Sequence, residues 1–121
     1  MGTTYKYEVS SENAIGESAL SPALSVLFAN VPSQPASLTL TSTSLPSITA
    51  SWTIPATLNG DIIRGYKLYI DDGQGGDFKL IYDGTNFSNV YSYTIYSPTI
   101  ECGVLYNLRI TALNSAGEGA P

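Results

Sequence analysis

The chain has 121 residues, with 5 Lys and Arg, 10 Asp and Glu, no His and one Cys, and its formal net charge is −5 at pH 7. This length fits one ordinary domain, or one domain and a fragment. The acidic balance excludes a nucleic-acid binder, which needs a basic surface. The lack of His and the single Cys exclude His/Cys zinc sites, His-based triads and an internal disulfide. No apolar stretch reaches about 18 residues, so membrane insertion is not expected.

Alternation of apolar and polar residues with a period of two dominates the chain. Such alternation is typical of half-buried strands, whose successive side chains point to opposite faces. The alternating runs are 36–41, 47–54, 66–70, 91–95 and 106–112. Turn-forming residues separate them, at 45–47, 59–61, 71–77, 83–86 and 97–98. Short strands with turns about every ten residues predict an all-β antiparallel sandwich or barrel.

The alternation also predicts which side chains point inward. Trp52 is the only tryptophan and the largest apolar side chain, so we place it at the centre of the core. The full inward set is Leu38, Leu40, Ile48, Ala50, Trp52, Tyr66, Leu68, Ile70, Tyr93, Ile95, Tyr106, Leu108, Ile110 and Ala112.

The two ends of the chain repeat one another. Residues 5–20 and 106–121 match at an offset of 101, with Tyr5/Tyr106, Asn13/Asn114, Gly16/Gly117, Glu17/Glu118 and Ala19/Ala120 identical. A fixed period of this size indicates tandem domains. Residues 30–35, which contain two prolines, fit a stiff linker between two copies.

These motifs resemble the fibronectin type III domain over nearly the whole chain. The run from Ile48 to Pro55 and the run from Asn59 to Tyr69 are similar to the family's strands B and C. The run 100–117 is similar to its E–F corner and strand F. The resemblance implies an immunoglobulin-like antiparallel β-sandwich. It also implies that Tyr5 and Tyr106 are corner tyrosines, whose hydroxyls bond back to the upstream backbone.

By this resemblance the chain spans parts of two repeats. Residues 1–29 would be the C-terminal F–G hairpin of a preceding repeat, 30–35 the linker, and 36–121 a domain lacking its own strand G. Two explanations fit. The chain is a segment of a longer tandem array, or the hairpin of one copy completes strand F of another copy and gives head-to-tail filaments. Either way we expect 19–28 to pair antiparallel with 104–113.

Few residues suggest chemistry, and we expect no catalytic, cofactor-binding or metal site. Asp71, Asp72 and Asp77 fit a calcium site or an acidic turn, and the turn is favoured because Asp and Gly are common there for local reasons. Asn86 begins an Asn-Phe-Ser triplet and is a candidate glycosylation site. Cys102 has no evident cation near it to stabilise a thiolate, so we expect a small, at least half-buried side chain.

The resemblance implies a non-enzymatic structural or adhesive module of a tandem array, extracellular or on the cell surface. Its partners would be other copies of itself, neighbouring repeats or an unknown protein ligand, with no cofactor. Two alternatives remain: a protein-binding scaffold module of an intracellular cytoskeletal or receptor protein, and an accessory domain of a carbohydrate-active enzyme.

Overall fold

The computed structural model describes residues 1–44 and 47–121, so the predicted turn at Leu45 and Pro46 lies outside the described residues. The described residues form eleven strands and no helix. The strands are β1 (Thr3–Tyr7), β2 (Glu12–Asn13), β3 (Gly16–Glu17), β4 (Leu24–Phe28), β5 (Leu38–Ser44), β6 (Ser47–Trp52), β7 (Gly65–Ile70), β8 (Lys79–Asp83), β9 (Ser92–Tyr96), β10 (Leu108–Asn114) and β11 (Gly117–Glu118). All pairings are antiparallel, which confirms the predicted all-β class.

Residues 36–121 fold into two sheets. One sheet has the order β5-β6-β9, and the other has the order β11-β10-β7-β8. Cross-strand partners share a face, as where the hydroxyls of Thr49 and Thr94 meet at 3.0 Å. The apolar members of each alternating run therefore point between the sheets, as in an aligned β-sandwich.

The core lies between these sheets around Trp52. Its ring is 5.8 Å from that of Tyr66 and 6.0 Å from that of Tyr82, measured between centroids. The buried members of the cluster are Ala50, Trp52, Ile63, Tyr66, Leu68, Ile70, Ile95, Ile100, Ile110 and Ala112. Leu38, Ile48, Tyr93, Tyr106 and Leu108 are partly buried against it. Leu40 lies on the same face as its buried partner Ala50, but it is 50% exposed because β5 is an edge strand.

The N-terminal residues form a separate hairpin. Strand β4 pairs with β1 in the register Thr3↔Phe28, Tyr5↔Val26 and Tyr7↔Leu24, and every residue of both strands is exposed. One face is apolar, with Tyr5 set edge-on against Phe28 at 6.4 Å. Within the chain, β4 is thus paired with 3–7, and any pairing of 19–28 with 104–113 is left to contacts between chains.

Candidate functional site: the joint and the open strand edge

The linker between the hairpin and the sandwich is bound by the loop that precedes β7. The Asn30 N–H donates to the Asn59 carbonyl at 2.9 Å, and Asn59 Nδ2 donates to the Val31 carbonyl at 2.7 Å. The Ser33 N–H donates to the Thr57 carbonyl at 3.1 Å, and the Thr57 N–H donates to Ser33 Oγ at 3.2 Å. Because most of these groups are backbone atoms, the joint does not depend on long flexible side chains.

Asn114, at the end of β10, ties the linker to the sandwich from a buried position. Its Nδ2 donates to the Asn30 carbonyl at 2.8 Å and, at 3.4 Å, to the Leu58 carbonyl. Its Oδ1 accepts the Ala116 N–H at 2.9 Å. The residue is only 6% exposed. One side chain therefore joins three segments: the linker, the loop before β7 and the turn between β10 and β11.

Asp61 links the same loop to the same turn. Its Oδ2 accepts the Ser115 N–H at 2.8 Å and a short hydrogen bond from the Ser115 hydroxyl. The side-chain and backbone hydrogen bonds from Ser115 lower the pKa of the Asp61 carboxyl below its usual value. The hydrogen bonds between the loop and the turn therefore stabilise the ionised form of Asp61.

Two glycines allow the linker and hairpin to approach the sandwich closely. Gly60 has φ of +94°, and a Cβ there would overlap the Gly2 nitrogen and Met1. A Cβ on Gly119 would overlap the Pro32 carbonyl oxygen. Only a residue without a side chain fits at such contacts.

The turn next to the joint occurs twice, with the same hydrogen bonds at an offset of 101 residues. In the hairpin the Ser18 N–H donates to the Ser11 carbonyl at 2.8 Å, and in the sandwich the Gly119 N–H donates to the Ala112 carbonyl at 2.8 Å. The strand registers that close the two turns are also equivalent, Glu12↔Glu17 and Leu113↔Glu118 among them. The local sequence thus builds the same turn in both places.

Glu118 anchors β11 to the sheet. Its carboxylate accepts hydrogen bonds from Tyr69 Oη and Thr111 Oγ1, both at 2.6 Å, and pairs with Lys67 Nζ at 3.0 Å. Burial alone would raise the pKa of Glu118, but hydrogen bonds from Thr111, Tyr69 and Lys67 outweigh it and lower the pKa. Burial, together with the bond to Glu118, raises the pKa of Tyr69 to about 12.

One edge of β10 is open beyond these contacts. Among the described residues, β11 pairs with Leu113 and Asn114, and the Gly119 N–H donates to the Ala112 carbonyl. Beside the open part lies a groove of about 340 Å³, lined by residues 34–38, 108–110 and Pro121. Unpaired backbone groups at such an edge are a template for another strand.

The structure places the two predicted corner tyrosines in different surroundings. The Tyr106 hydroxyl accepts the Glu101 N–H at 3.2 Å, and its ring packs against the core. Among the described residues no hydrogen bond reaches the Tyr5 hydroxyl, and Tyr5 is 48% exposed. The counterpart of the Glu101 N–H would precede Met1, and within residues 1–121 no second sheet covers the hairpin.

The remaining predicted residues lie apart from the joint. Asp71 is buried and accepts hydrogen bonds from Asn107 Nδ2 (2.6 Å), the Asn107 N–H (2.9 Å) and the Gly73 N–H (3.1 Å), which together lower its pKa. Asn86 is exposed in a turn with φ of +69°. The expectation for Cys102 was wrong, because it is exposed in the loop between β9 and β10.

Sequence reasoning did not single out the residues that hold the joint. The repeat contained a signal for one of them, since Asn114 is identical to Asn13. Asn59 and Asp61 were read only as turn residues. Their partners are 28 and 54 residues away in sequence, so no local pattern marks them.

Neither a metal centre nor a transmembrane helix is found in the part of the chain that the structure describes. No group of three or more His, Cys, Asp or Glu side chains there is placed to hold a metal ion. No helix there is long and apolar enough to cross a membrane.

Comparison with known proteins decides the family. The model of the fibronectin type III domain matches residues 33–121. The chain belongs to the fibronectin type III family. Members of this family are generally non-catalytic structural modules.

Curated relatives of this fibronectin type III chain are large proteins. It is 38% identical over 74 residues to the E3 ubiquitin-protein ligase TRIM9 of Drosophila melanogaster, covering 60% of this chain and 9% of that protein. It is 32% identical over 93 residues to the human cell adhesion molecule DSCAML1, and the match covers 77% of this chain and 4% of that protein. It is also 32% identical over 91 residues to the titin homolog of Caenorhabditis elegans. That match covers 75% of this chain and, to the nearest per cent, 0% of that protein. The chain thus spans a small fraction of each relative.

Solved structures show the same fold. Domains A168–A170 of titin match with a TM-score of 0.71 at 22% identity, covering 96% of this chain and 37% of that one. The FN1–FN3 domains of chicken CNTN1 match with a TM-score of 0.63 at 20% identity, covering 99% and 40%. Both similarities extend over more than the 33–121 segment and include the N-terminal hairpin.

Proposed function

We propose that this chain is a non-catalytic structural or adhesive segment of a tandem fibronectin type III protein that holds successive repeats at a fixed angle. Residues 1–29 are the last hairpin of one repeat, 30–35 the linker and 36–121 the next repeat. The joint carries this proposal: buried Asn114, the Asn59 side chain and backbone bonds at Ser33 fix the linker against the sandwich. A spacer needs such a joint, whereas a flexible tether does not.

We place this array outside the cell or on its surface, among neighbouring repeats or copies of itself. The relationship to cell adhesion molecules supports this placement, and Asn86 offers an exposed acceptor for a glycan. The intact mass of the protein from its natural source, before and after removal of N-linked glycans, tests it. An unchanged mass would favour a cytoskeletal scaffold, the second candidate, which the similarity to the titin homolog supports.

The fixed joint is tested with Asn114→Ala, and Asn13→Ala is the matched control because it occupies the same position in the repeated turn. Residual dipolar couplings report whether the hairpin and the sandwich share one orientation. We expect one shared alignment in the unmodified chain and in Asn13→Ala, and two independent alignments in Asn114→Ala. Independent alignments in the unmodified chain would overturn the rigid spacer.

We further propose that copies of the chain associate head to tail, with 19–28 of one copy pairing with 104–113 of the next. The open edge of β10 and its adjacent groove support this part of the proposal. Molar mass measured over a concentration series tests it: growth in mass with concentration is expected, and a constant monomer mass would exclude association.

A further inference from the structure

We propose that Asn59 is a site of spontaneous covalent modification: its side-chain amide is lost by deamidation, and this loss releases the linker from the sandwich. The chain contains seven asparagines, and Asn59 is the one that a glycine follows. The release of the linker rests on the fixed joint proposed above, whereas the reaction itself does not. The two are therefore measured separately below.

The reaction uses groups of the chain and water. The Gly60 backbone nitrogen gives its proton to water or hydroxide, and its electron pair forms a bond to the Asn59 Cγ. The bond between Cγ and Nδ2 breaks, and this nitrogen leaves as ammonia with a proton taken from water. The five-membered imide then takes up one water molecule at either carbonyl, which gives an aspartate or an isoaspartate. No atom is oxidised or reduced, so no further reactant is required.

Gly60 makes this asparagine reactive and is itself required by the packing. A glycine has no Cβ to obstruct the approach of its nitrogen to the neighbouring side chain. The φ of Gly60 is +94°, and a Cβ there would overlap the Gly2 nitrogen. A bulkier residue in its place would slow the reaction but disturb the close contact. The fold therefore retains a chemically labile pair at the joint.

The amide that the reaction removes is the group that holds the linker. Asn59 Nδ2 donates to the Val31 carbonyl at 2.7 Å, and the Asn59 carbonyl accepts the Asn30 N–H at 2.9 Å. An ionised carboxylate only accepts hydrogen bonds, so in the aspartate product two oxygens would face each other with no proton between them. The isoaspartate product also routes the backbone through the former side chain, which displaces the carbonyl that accepts from Asn30. Either product weakens the joint.

The closed joint slows the reaction that would open it. Ring closure brings the Gly60 nitrogen to the Asn59 Cγ, which requires rotation of the Asn59 side chain and of the peptide that follows it. The two hydrogen bonds to the linker restrain both groups. The reaction therefore proceeds from the state in which the linker has detached locally, and its rate follows the population of that state. Asn59 is only partly buried, so water has access to it.

The first test locates the modification. The protein is incubated at mildly alkaline pH and 37 °C, and its peptides are mapped by chromatography and fragmentation mass spectrometry. We expect the mass change from amide to acid to accumulate at Asn59 faster than at any of the other six asparagines. Asn59→Gln is the matched control, because it keeps an amide but would have to close a six-membered ring, and it should remain unmodified. A faster reaction at another asparagine would overturn the proposed site.

The second test connects the reaction to the joint. Asn114→Ala removes the side chain that donates to the Asn30 carbonyl, and Asn13→Ala removes its counterpart in the hairpin turn. Loss of a buried hydrogen bond at the joint raises the population of the detached linker. We expect the rate at Asn59 to rise at least about fivefold in Asn114→Ala and to stay unchanged in Asn13→Ala.

Two results would overturn this protection by the joint. One is an equal rate at Asn59 in the Asn114→Ala chain and in the unmodified chain. The other is an equal rise at Asn107, since that residue does not contact the linker and would report general unfolding. Trp52 fluorescence checks that the sandwich of the variant is folded.

The third test measures the consequence. Asn59→Asp carries the side chain of one product, and Asn86→Asp is the matched control because both asparagines have positive φ and only Asn59 contacts the linker. Residual dipolar couplings should show two independent alignments for Asn59→Asp and one for Asn86→Asp. One shared alignment in Asn59→Asp would overturn the release of the linker. If the unmodified chain already shows two alignments, the fixed joint and the release both fail, while the modification of Asn59 is decided by the peptide map.

Discussion

The hairpin and the sandwich contain the same turn in very different surroundings. Both copies place an Asn side-chain oxygen over the following backbone, and both close the turn with equivalent bonds. In each, a hydroxyl that precedes the turn donates to the glutamate of the turn, Ser10 to Glu17 and Thr111 to Glu118. Yet β1 and β4 are exposed throughout, whereas β10 is largely buried.

This contrast separates local from tertiary effects. The turn forms wherever its residues occur, because its bonds connect groups close in sequence. Burial of the flanking apolar residues depends on a second sheet, which in this chain only residues 36–121 provide. Substitutions of similar side chains in the hairpin and in the sandwich should therefore have unequal effects on stability.

The largest difference is expected between two leucines. Leu68→Ala opens a cavity at a fully buried position and should lower the free energy of unfolding by about 2–5 kcal/mol. Leu24→Ala in the hairpin should change it by less than about 0.5 kcal/mol. Urea denaturation followed by the fluorescence of Trp52 measures both. Equal losses would mean that the hairpin is part of the cooperative core.

A smaller effect is expected at the joint. Gly60 and Gly75 both have positive φ, but a Cβ clashes with Gly2 only at Gly60, while the space around Gly75 is open. Either change to Ala should cost about 1–2 kcal/mol from left-handed backbone alone. Only Gly60→Ala should also accelerate hydrogen exchange at the Asn30 amide, which donates to Asn59. Faster exchange in both variants would argue against a specific contact.

Removing the hydroxyl of each corner tyrosine should change the free energy of unfolding by amounts that differ by about one hydrogen bond. Tyr106→Phe removes the acceptor of the Glu101 N–H and should destabilise the sandwich by about 1 kcal/mol. Tyr5→Phe should have no measurable effect on the same unfolding transition. Thermal denaturation of both variants measures the difference, and an equal shift in the midpoint would contradict it.

The smallest effect is expected at Glu118 and depends on pH. Its pKa is lowered in the folded protein, so its contribution to stability is present above the ordinary value of 4.5 and is lost as pH falls through the folded pKa. Glu118→Gln should cost about 1 kcal/mol at pH 7. The difference in free energy of unfolding between this variant and the unmodified chain should be smaller at pH 3 than at pH 7. Glu17→Gln is the control, and a gap independent of pH would refute the assignment.

The contribution of Tyr69 to stability depends on pH in the opposite direction to that of Glu118. The pKa of Tyr69 is raised to about 12, so its contribution is complete below its ordinary value of 10 and is lost as pH rises toward 12. Glu118→Gln removes the carboxylate whose hydrogen bond and charge both contribute to that shift. Titration of tyrosinate absorbance in both proteins should therefore show a lower Tyr69 pKa in the variant.

The sequence by itself determined β5, β6, β7, β9 and β10, the antiparallel class and most of the core, whereas β8 fell in none of the predicted runs. Period-two alternation forces side chains onto one face or the other, so Trp52, Leu68 and Ile110 had to point inward together. The repeat at an offset of 101 also determined the second turn, because its hydrogen bonds are local. The alternation did not predict that Leu40 and Cys102 are exposed, because it assigns a side chain to a face but does not say what covers that face.

Only the tertiary structure decided the joint. Asn114 reaches a carbonyl 84 residues away, and Asp61 accepts from Ser115 across 54 residues. Contacts between residues so distant in sequence follow from the packing of sheets and loops, which no short motif encodes. For the same reason Asn13 and Asn114, identical in sequence and in their turns, have different partners: only one has a linker beside it.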